Sequence, residues 1–137
     1  MELIDVINKR KSVRSFQKTE VPDLKELITL AGKCPSAGGI RGYEAIITKE
    51  KVTAQVDAPL YVVICTNPEA YVKRYGDRGK DLFSIQDATI FGAYLQLLLV
   101  DKGLSSVWIG AFREERVKKA IGTKLRPIAI LCVGYGT

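Results

Sequence analysis

Between Phe83 and Phe112 the chain reads FSIQDATIFGAYLQLLLVDKGLSSVWIGAF. Ile85, Ala88, Phe91, Leu95, Leu98 and Leu99 fall at helical spacing, and Ile90, Ala93, Leu97 and Val100 fill the opposite side. A helix over residues 84–102 is therefore apolar nearly all round, and such a helix is expected to be buried on every face. Ser84 followed three residues later by Asp87 reads as a capping-box-like start, and Gly103 as the stop after the last turn. At about 1.5 Å per residue the helix spans roughly 28 Å, close to the width of a small domain. Gln86, Asp87, Gln96 and Asp101 argue against a membrane span, which needs ~20 residues with few charges. A chain of 137 residues forms one domain, residues 1–137. It has little protein with which to cover such a helix on both sides, so a second copy of the chain is the expected cover.

The residue types exclude several chemistries. There is no histidine, which removes Ser-His-Asp and Cys-His catalysis and most zinc sites. Cys34, Cys65 and Cys132 form no CxxC pair, and the last two sit inside apolar runs. They read as reduced core thiols, with no disulfide framework and no metal. Residues 1–14 contain no apolar leader segment, so the expected location is cytoplasmic. The formal net charge of +6 fits an anionic ligand, nucleic acid or a basic surface, and charge alone does not choose among them. Nucleic acid ranks last, because the cations cluster at one helix end without the aromatic interleaving of single-strand binders.

Taken in order, residues 2–9 put Leu3, Ile4 and Ile7 on one helical face. The block KRKSVR follows, with four cations and a serine over residues 9–14. Cations are favoured at a helix C-terminus, so a solvated helix end accounts for it. A phosphate site accounts for it equally, since arginine presents planar forked donors and a hydroxyl adds another. A second helix is expected from Pro22, with Asp23 and Glu26 in its first turn. Cys34-Pro35-Ser36-Ala37-Gly38-Gly39 is a loop of small residues, either a connector or a backbone that packs against a ligand face. Strands are expected at residues 44–48, 60–66, 105–109 and 128–133, the second covered on both faces. Residues 67–81, with Tyr71 and Tyr75 at i, i+4 and Arg74, Arg78 and Lys80 nearby, read as a half-exposed helix and loop in preference to a cap over a pocket, and residues 113–121 as an amphipathic helix stopped by Gly122. This is an α+β order with about four strands. The phosphate-loop signature GxxxxGK[ST] and a GxGxxG after a strand are both absent.

Four blocks in this order resemble the FMN-dependent nitroreductase family. Arg10-Lys11-Ser12-Val13-Arg14-Ser15-Phe16 is similar to its amino-terminal flavin-phosphate motif. Pro35-Ser36-Ala37-Gly38-Gly39 is similar to its loop against the flavin, and within the superfamily looks most like the azoline-dehydrogenase branch. The run from Asp87 to Leu104, with Trp108-Ile109-Gly110-Ala111-Phe112, is similar to its central helix and following flavin loop. Residues 126–135 are similar to its closing strand. The resemblance implies a three-layer α/β/α sandwich with a small mixed, mainly antiparallel sheet and a long central helix at a homodimer interface. It implies two FMN sites, each built from both subunits. Arg10, Lys11, Ser12 and Arg14 would hold the phosphate and the pyrimidine end of the ring. Pro35, Ser36, Ala37, Gly38 and Gly39 would come from the other subunit, and Ile109, Gly110 and Ala111 would lie near N5.

The implied activity is hydride transfer from NAD(P)H through FMN to a nitroaromatic, quinone or similar acceptor. A non-catalytic FMN-binding storage or sensor protein is the alternative. No catalytic side chain is expected, because the cofactor carries the chemistry, and Asp87→Asn and Glu44→Gln are expected to leave hydride transfer nearly unchanged. Gly39 stands where many members have Asn, and Arg41-Gly42-Tyr43 where they have Gln-Pro-Trp.

Overall fold

β2 (Leu60–Thr66) is buried along its whole length in the computed structural model, which describes all 137 residues. Side chains alternate along a strand, so Leu60, Val62 and Ile64 enter one core while Tyr61, Val63 and Cys65 enter another. The sheet order is β1 (Tyr43–Thr48), β2, β4 (Arg126–Gly134), β3 (Ser105–Ile109). Every neighbouring pair is antiparallel, with Ala45 opposite Ile64, Val62 opposite Leu131 and Leu131 opposite Trp108. The expected mixed character survives only as one parallel bridge between Ser12 and Ser106. Pro127 lies in a central strand, where its missing N–H would break the ladder. It is tolerated because the register slips there, between Ile64 and Cys65.

Helices cover both faces, giving the expected three layers. On one side α2 (Lys25–Ala31) and α4 (Ser84–Asp101) bury Leu24, Leu27, Phe91, Leu95 and Leu99 against the sheet. On the other, α5 (Glu114–Ile121) supplies Val117. It stops at Gly122, whose φ of 64° is a left-handed cap. α1 (Leu3–Lys9) touches α4 through a different residue from those on its apolar stripe: Val6 is buried, while Leu3, Ile4 and Ile7 are exposed.

Two helix starts differ from expectation. α2 begins at Lys25 rather than Pro22, because the Asp23 carboxylate accepts from the Lys25 amide (2.9 Å) and forms the turn before it. Ser84 does not cap α4. A 3₁₀ turn (Pro68–Tyr71), α3 (Val72–Arg78) and a π turn (Gly79–Phe83) run into it, so the Ser84 amide is already within helical structure. Its hydroxyl donates to the Lys80 carbonyl instead (2.6 Å). The expected stop does form: Gly103 takes φ 79°, and the amides of Gly103 and Leu104 return to Val100 and Leu99. By length and composition alone Pro68–Asp101 is apolar enough to cross a membrane. Within the fold its residues Ala88, Phe91, Leu95 and Leu99 are instead core. α4 is not buried on every face of a single chain, however: Ala93 is exposed and Tyr94 is 43% exposed.

Candidate functional site

The basic block leaves α1 and threads between two strand ends. Ser12 bridges Ser106 at the start of β3, and the Val13 amide donates to the Ser106 carbonyl (3.0 Å). Farther on, the Gln17 amide donates to the Tyr135 carbonyl and the Thr137 amide to the Ser15 carbonyl. A groove of about 590 Å³ results, lined by Lys11, Ser12, Arg14, Ser105, Tyr135 and Thr137 among others. Arg10, Lys11 and Arg14 are exposed, and none of them has a carboxylate oxygen within 4.0 Å. The solvated-helix-end reading treats these charges as surface decoration. Lys11 and Arg14 line the groove with hydroxyls beside them, and Arg10 precedes it at the end of α1; such a donor set suits a phosphate.

β3 continues from that groove as an edge strand. The Ser106 carbonyl points away from β4 to meet Val13, so by alternation the backbone groups of Trp108 also face outward, where no strand follows. Ile109 is buried, whereas Gly110 and Ala111 are exposed. A Cβ built on Gly110 has no atom of this chain within 4 Å. The Ala111 carbonyl accepts from Gln55 Nε2 (2.6 Å), which fixes the turn after the strand.

The small-residue loop lies elsewhere, at the opposite end of α4, and a buried carboxylate holds it. Asp87, 3% exposed, accepts from Ser36 Oγ (2.6 Å), from the Ala37 amide (3.1 Å) and from the Tyr71 hydroxyl (2.7 Å). Tyr71 in turn accepts from the Gly42 amide (3.0 Å). Burial, and after it the bond to Asp87, push the Tyr71 phenol far above its ordinary range. Arg41, with φ 52°, closes the other flank: its guanidinium donates to the Gly32 and Cys34 carbonyls and to Tyr43 Oη. The Tyr43 phenol is pushed up to about 12, mainly by burial. A second groove, about 580 Å³, lies between Pro35, Ser36 and Ala37 and the first turns of α4.

One chain thus brings Arg10, Lys11, Ser12 and Arg14 to the start of β3 and Ile109, Gly110 and Ala111 to its end. It keeps Pro35, Ser36, Ala37, Gly38 and Gly39 apart from the basic block, near the far end of an 18-residue helix, some 25 Å away by helical rise. Tyr71 and Gln55 did not emerge from sequence as site residues, and Asp87 emerged only as a partner of Ser84 at a helix start. For Asp87 a signal was present, since a carboxylate among core positions of an apolar helix requires partners.

The sequence model described as the Nitroreductase family matches residues 47–135. A relative from Methanothermobacter thermautotrophicus, named provisionally as an NADH dehydrogenase/NAD(P)H nitroreductase, is 28% identical, over 98% of this chain and 78% of its own. A nitroreductase family protein of known structure from Clostridium novyi superposes with a TM-score of 0.86 at 27% identity, covering all of this chain and 86% of that one. A structure from Exiguobacterium sibiricum, provisionally a nitroreductase and solved in complex with FMN, has the same fold. It gives a TM-score of 0.86 at 13% identity, over 100% and 89% of the two chains.

Proposed function

The chain belongs to the nitroreductase family, and we propose that it works as a homodimeric, FMN-dependent oxidoreductase, taking hydride from NAD(P)H and delivering it to a small quinone or nitroaromatic acceptor. The observation that carries this reading is the relation between the two half-sites and α4. They lie at its two ends, and the side of the helix between them is open, with Ala93 and Tyr94 outward and the exposed Leu3, Ile4 and Ile7 of α1 beside it. Two such helices packed antiparallel about a two-fold axis put the 35–39 loop of each chain beside the basic groove of the other. Each cleft is then completed by both copies, and the uncovered apolar face is buried.

The residues present fit the cofactor. Ser12 and Arg14 in the groove, with Arg10 before them at the end of α1, would meet the phosphate, because guanidinium forks without carboxylate partners and a hydroxyl match its oxygens. Lys11 or Arg14 brings positive charge toward the pyrimidine end of the ring. The outward backbone of β3 and of residues 109–111 offers donors along the ring edge, and Gly110 leaves room for a flat ring. When bound, the flavin supplies the hydride chemistry itself. The protein holds donor and acceptor in turn against one face, so that proximity does the work. No side chain is required as acid or base: histidine is absent, and Asp87 is committed to Ser36, Ala37 and Tyr71.

Stopped-flow mixing of the FMN-loaded protein with NADH and with NADPH tests the activity; bleaching of the oxidised flavin band is expected with at least one of them. Reduction by neither nucleotide refutes a nicotinamide donor. Arg10→Ala tests the phosphate assignment. It should weaken FMN binding by roughly 10–100-fold, the worth of a charge-assisted hydrogen bond, and riboflavin binding much less. Equal losses for both place the phosphate elsewhere.

A further inference from the structure

Two arginines outside the phosphate-binding block connect to the groove beside the 35–39 loop through its neighbours, Arg74 through Gly38 and Arg78 through Phe83. Arg74 lies over Tyr75, its Cζ 5.5 Å from the ring centroid, and its Nη1 reaches the Gly38 carbonyl (3.3 Å). Arg78 lies over Phe83, 5.9 Å from the centroid, and Phe83 lines the groove. Tyr75 and Phe83 meet edge to face, centroids 5.0 Å apart. The four side chains form one continuous cluster of cation, ring, ring and cation. Lys80, in the same segment, is paired with Glu69 (3.2 Å). Arg74 and Arg78 have no carboxylate oxygen within 4.0 Å.

A separate observation ties this cluster to the loop. A Cβ on Gly38 would sit 2.6 Å from Arg74 Nη1 and 2.8 Å from Tyr75 Oη. The glycine that sequence reading reserves for a ligand face is thus occupied by the close approach of Arg74 and Tyr75. Between them the loop and α4 present a largely apolar wall, including Pro35, Ile85 and Ile90. A guanidinium laid on an aromatic face is partly dehydrated and restricted in motion, so it loses less on binding an anion than a free surface arginine does.

We propose that this groove takes a planar aromatic compound bearing a carboxylate or phosphate, and that Arg74 and Arg78 select for that anion. The proposal rests on reading the cleft as the place where donor and acceptor meet the flavin. The anion has two possible sources, the additional phosphate of NADPH or a carboxylate on the acceptor.

Equilibrium dialysis of the purified protein against 4-nitrobenzoate and against nitrobenzene tests the selection directly. The carboxylate is expected to bind more tightly, with an advantage that shrinks as salt rises. Arg74→Gln/Arg78→Gln should weaken 4-nitrobenzoate binding on the order of tenfold and leave nitrobenzene unchanged. Arg78→Gln alone, which removes a cation over Phe83 and no hydrogen bond to the 35–39 loop, should show part of that loss even where the double variant disturbs the loop. In the FMN-loaded protein, a KM raised for NADPH but not NADH assigns the anion to the donor. A KM raised for 4-nitrobenzoate but not nitrobenzene assigns it to the acceptor. Equal binding of the charged and neutral compounds, or equal losses for both in Arg78→Gln, overturns the proposal. Dialysis needs no turnover, so a protein that no nicotinamide reduces refutes the proposed activity while the anion measurement still stands or falls by itself.

Discussion

Asp87 accepts three hydrogen bonds in a nearly dry position, and each donor belongs to a part of the chain that α4 must hold: Ser36 and Ala37 of the small-residue loop, and Tyr71 of the preceding helical segment. Exchange for an amide replaces an acceptor-only group by one that also carries donors. Asp87→Asn therefore leaves at least one of the three bonds unmade, at about 1–3 kcal/mol. A fall of that order in the unfolding free energy, read as a lower urea midpoint at unchanged slope, is expected, together with weaker FMN binding as the loop loosens. The hydride-transfer rate is a separate readout and is still expected to stay nearly unchanged while the dimer is intact. Wild-type stability and FMN affinity in the variant would show that the three bonds do not hold the loop. Glu44 is exposed on β1, so Glu44→Gln remains the silent control. From sequence Asp87 pairs naturally with Ser84 as a cap; the fold overrides this because helical residues precede Ser84 and no free helix end exists there to be capped.

At the scale of elements, α4 carries a glycine in its interior for a reason that spacing does not reveal. Helix propensity alone favours Gly92→Ala by about 1 kcal/mol. A Cβ at position 92 would lie 2.7 Å from Trp108 Cζ3 on β3, however, and overpacking typically costs about 1–3 kcal/mol. The steric term should win, so Gly92→Ala is expected to lower the thermal midpoint; a rise would mean that Trp108 swings clear at little cost. In the sheet, burial pushes the Cys65 thiol up to about 12 and the Cys132 thiol up to about 11. Both values lie above the ordinary thiol range of about 8.5, so the unfolded chain loses these protons first as pH rises. Their contribution is fully present below about pH 8 and is lost progressively as pH rises through the folded values near 11 and 12. Stability against urea should be flat in this respect from pH 7 to 8 and decline above 9. The decline should be shallower in Cys65→Ala/Cys132→Ala, and identical slopes in the two proteins would exclude the thiols as its source.

For the molecule as a whole, the open side of α4 makes the oligomeric state the prediction of most consequence. Leu97 is half-buried on that helix and Ala93 is exposed. Ala93→Glu or Leu97→Glu puts a carboxylate into the proposed interface, where an unpaired charge is strongly unfavourable. Sedimentation should show monomer, or no folded protein, with loss of bound FMN; an intact dimer with full FMN would defeat the dimer proposal. The sequence by itself determined the four strands, the long apolar helix, its stop at Gly103 and the cationic block, because each is a local pattern of period, turn chemistry or charge. It also carried the family resemblance, through the order of its blocks. Only the tertiary structure decided that Asp87 anchors a loop rather than a helix end, and that Gly38 makes room for Arg74 and Tyr75. It alone decided that the basic groove and the 35–39 loop lie at opposite ends of α4. Those facts depend on which residues distant in sequence meet in space, and a repeating pattern along one element fixes the face a side chain occupies but not the partner it finds there.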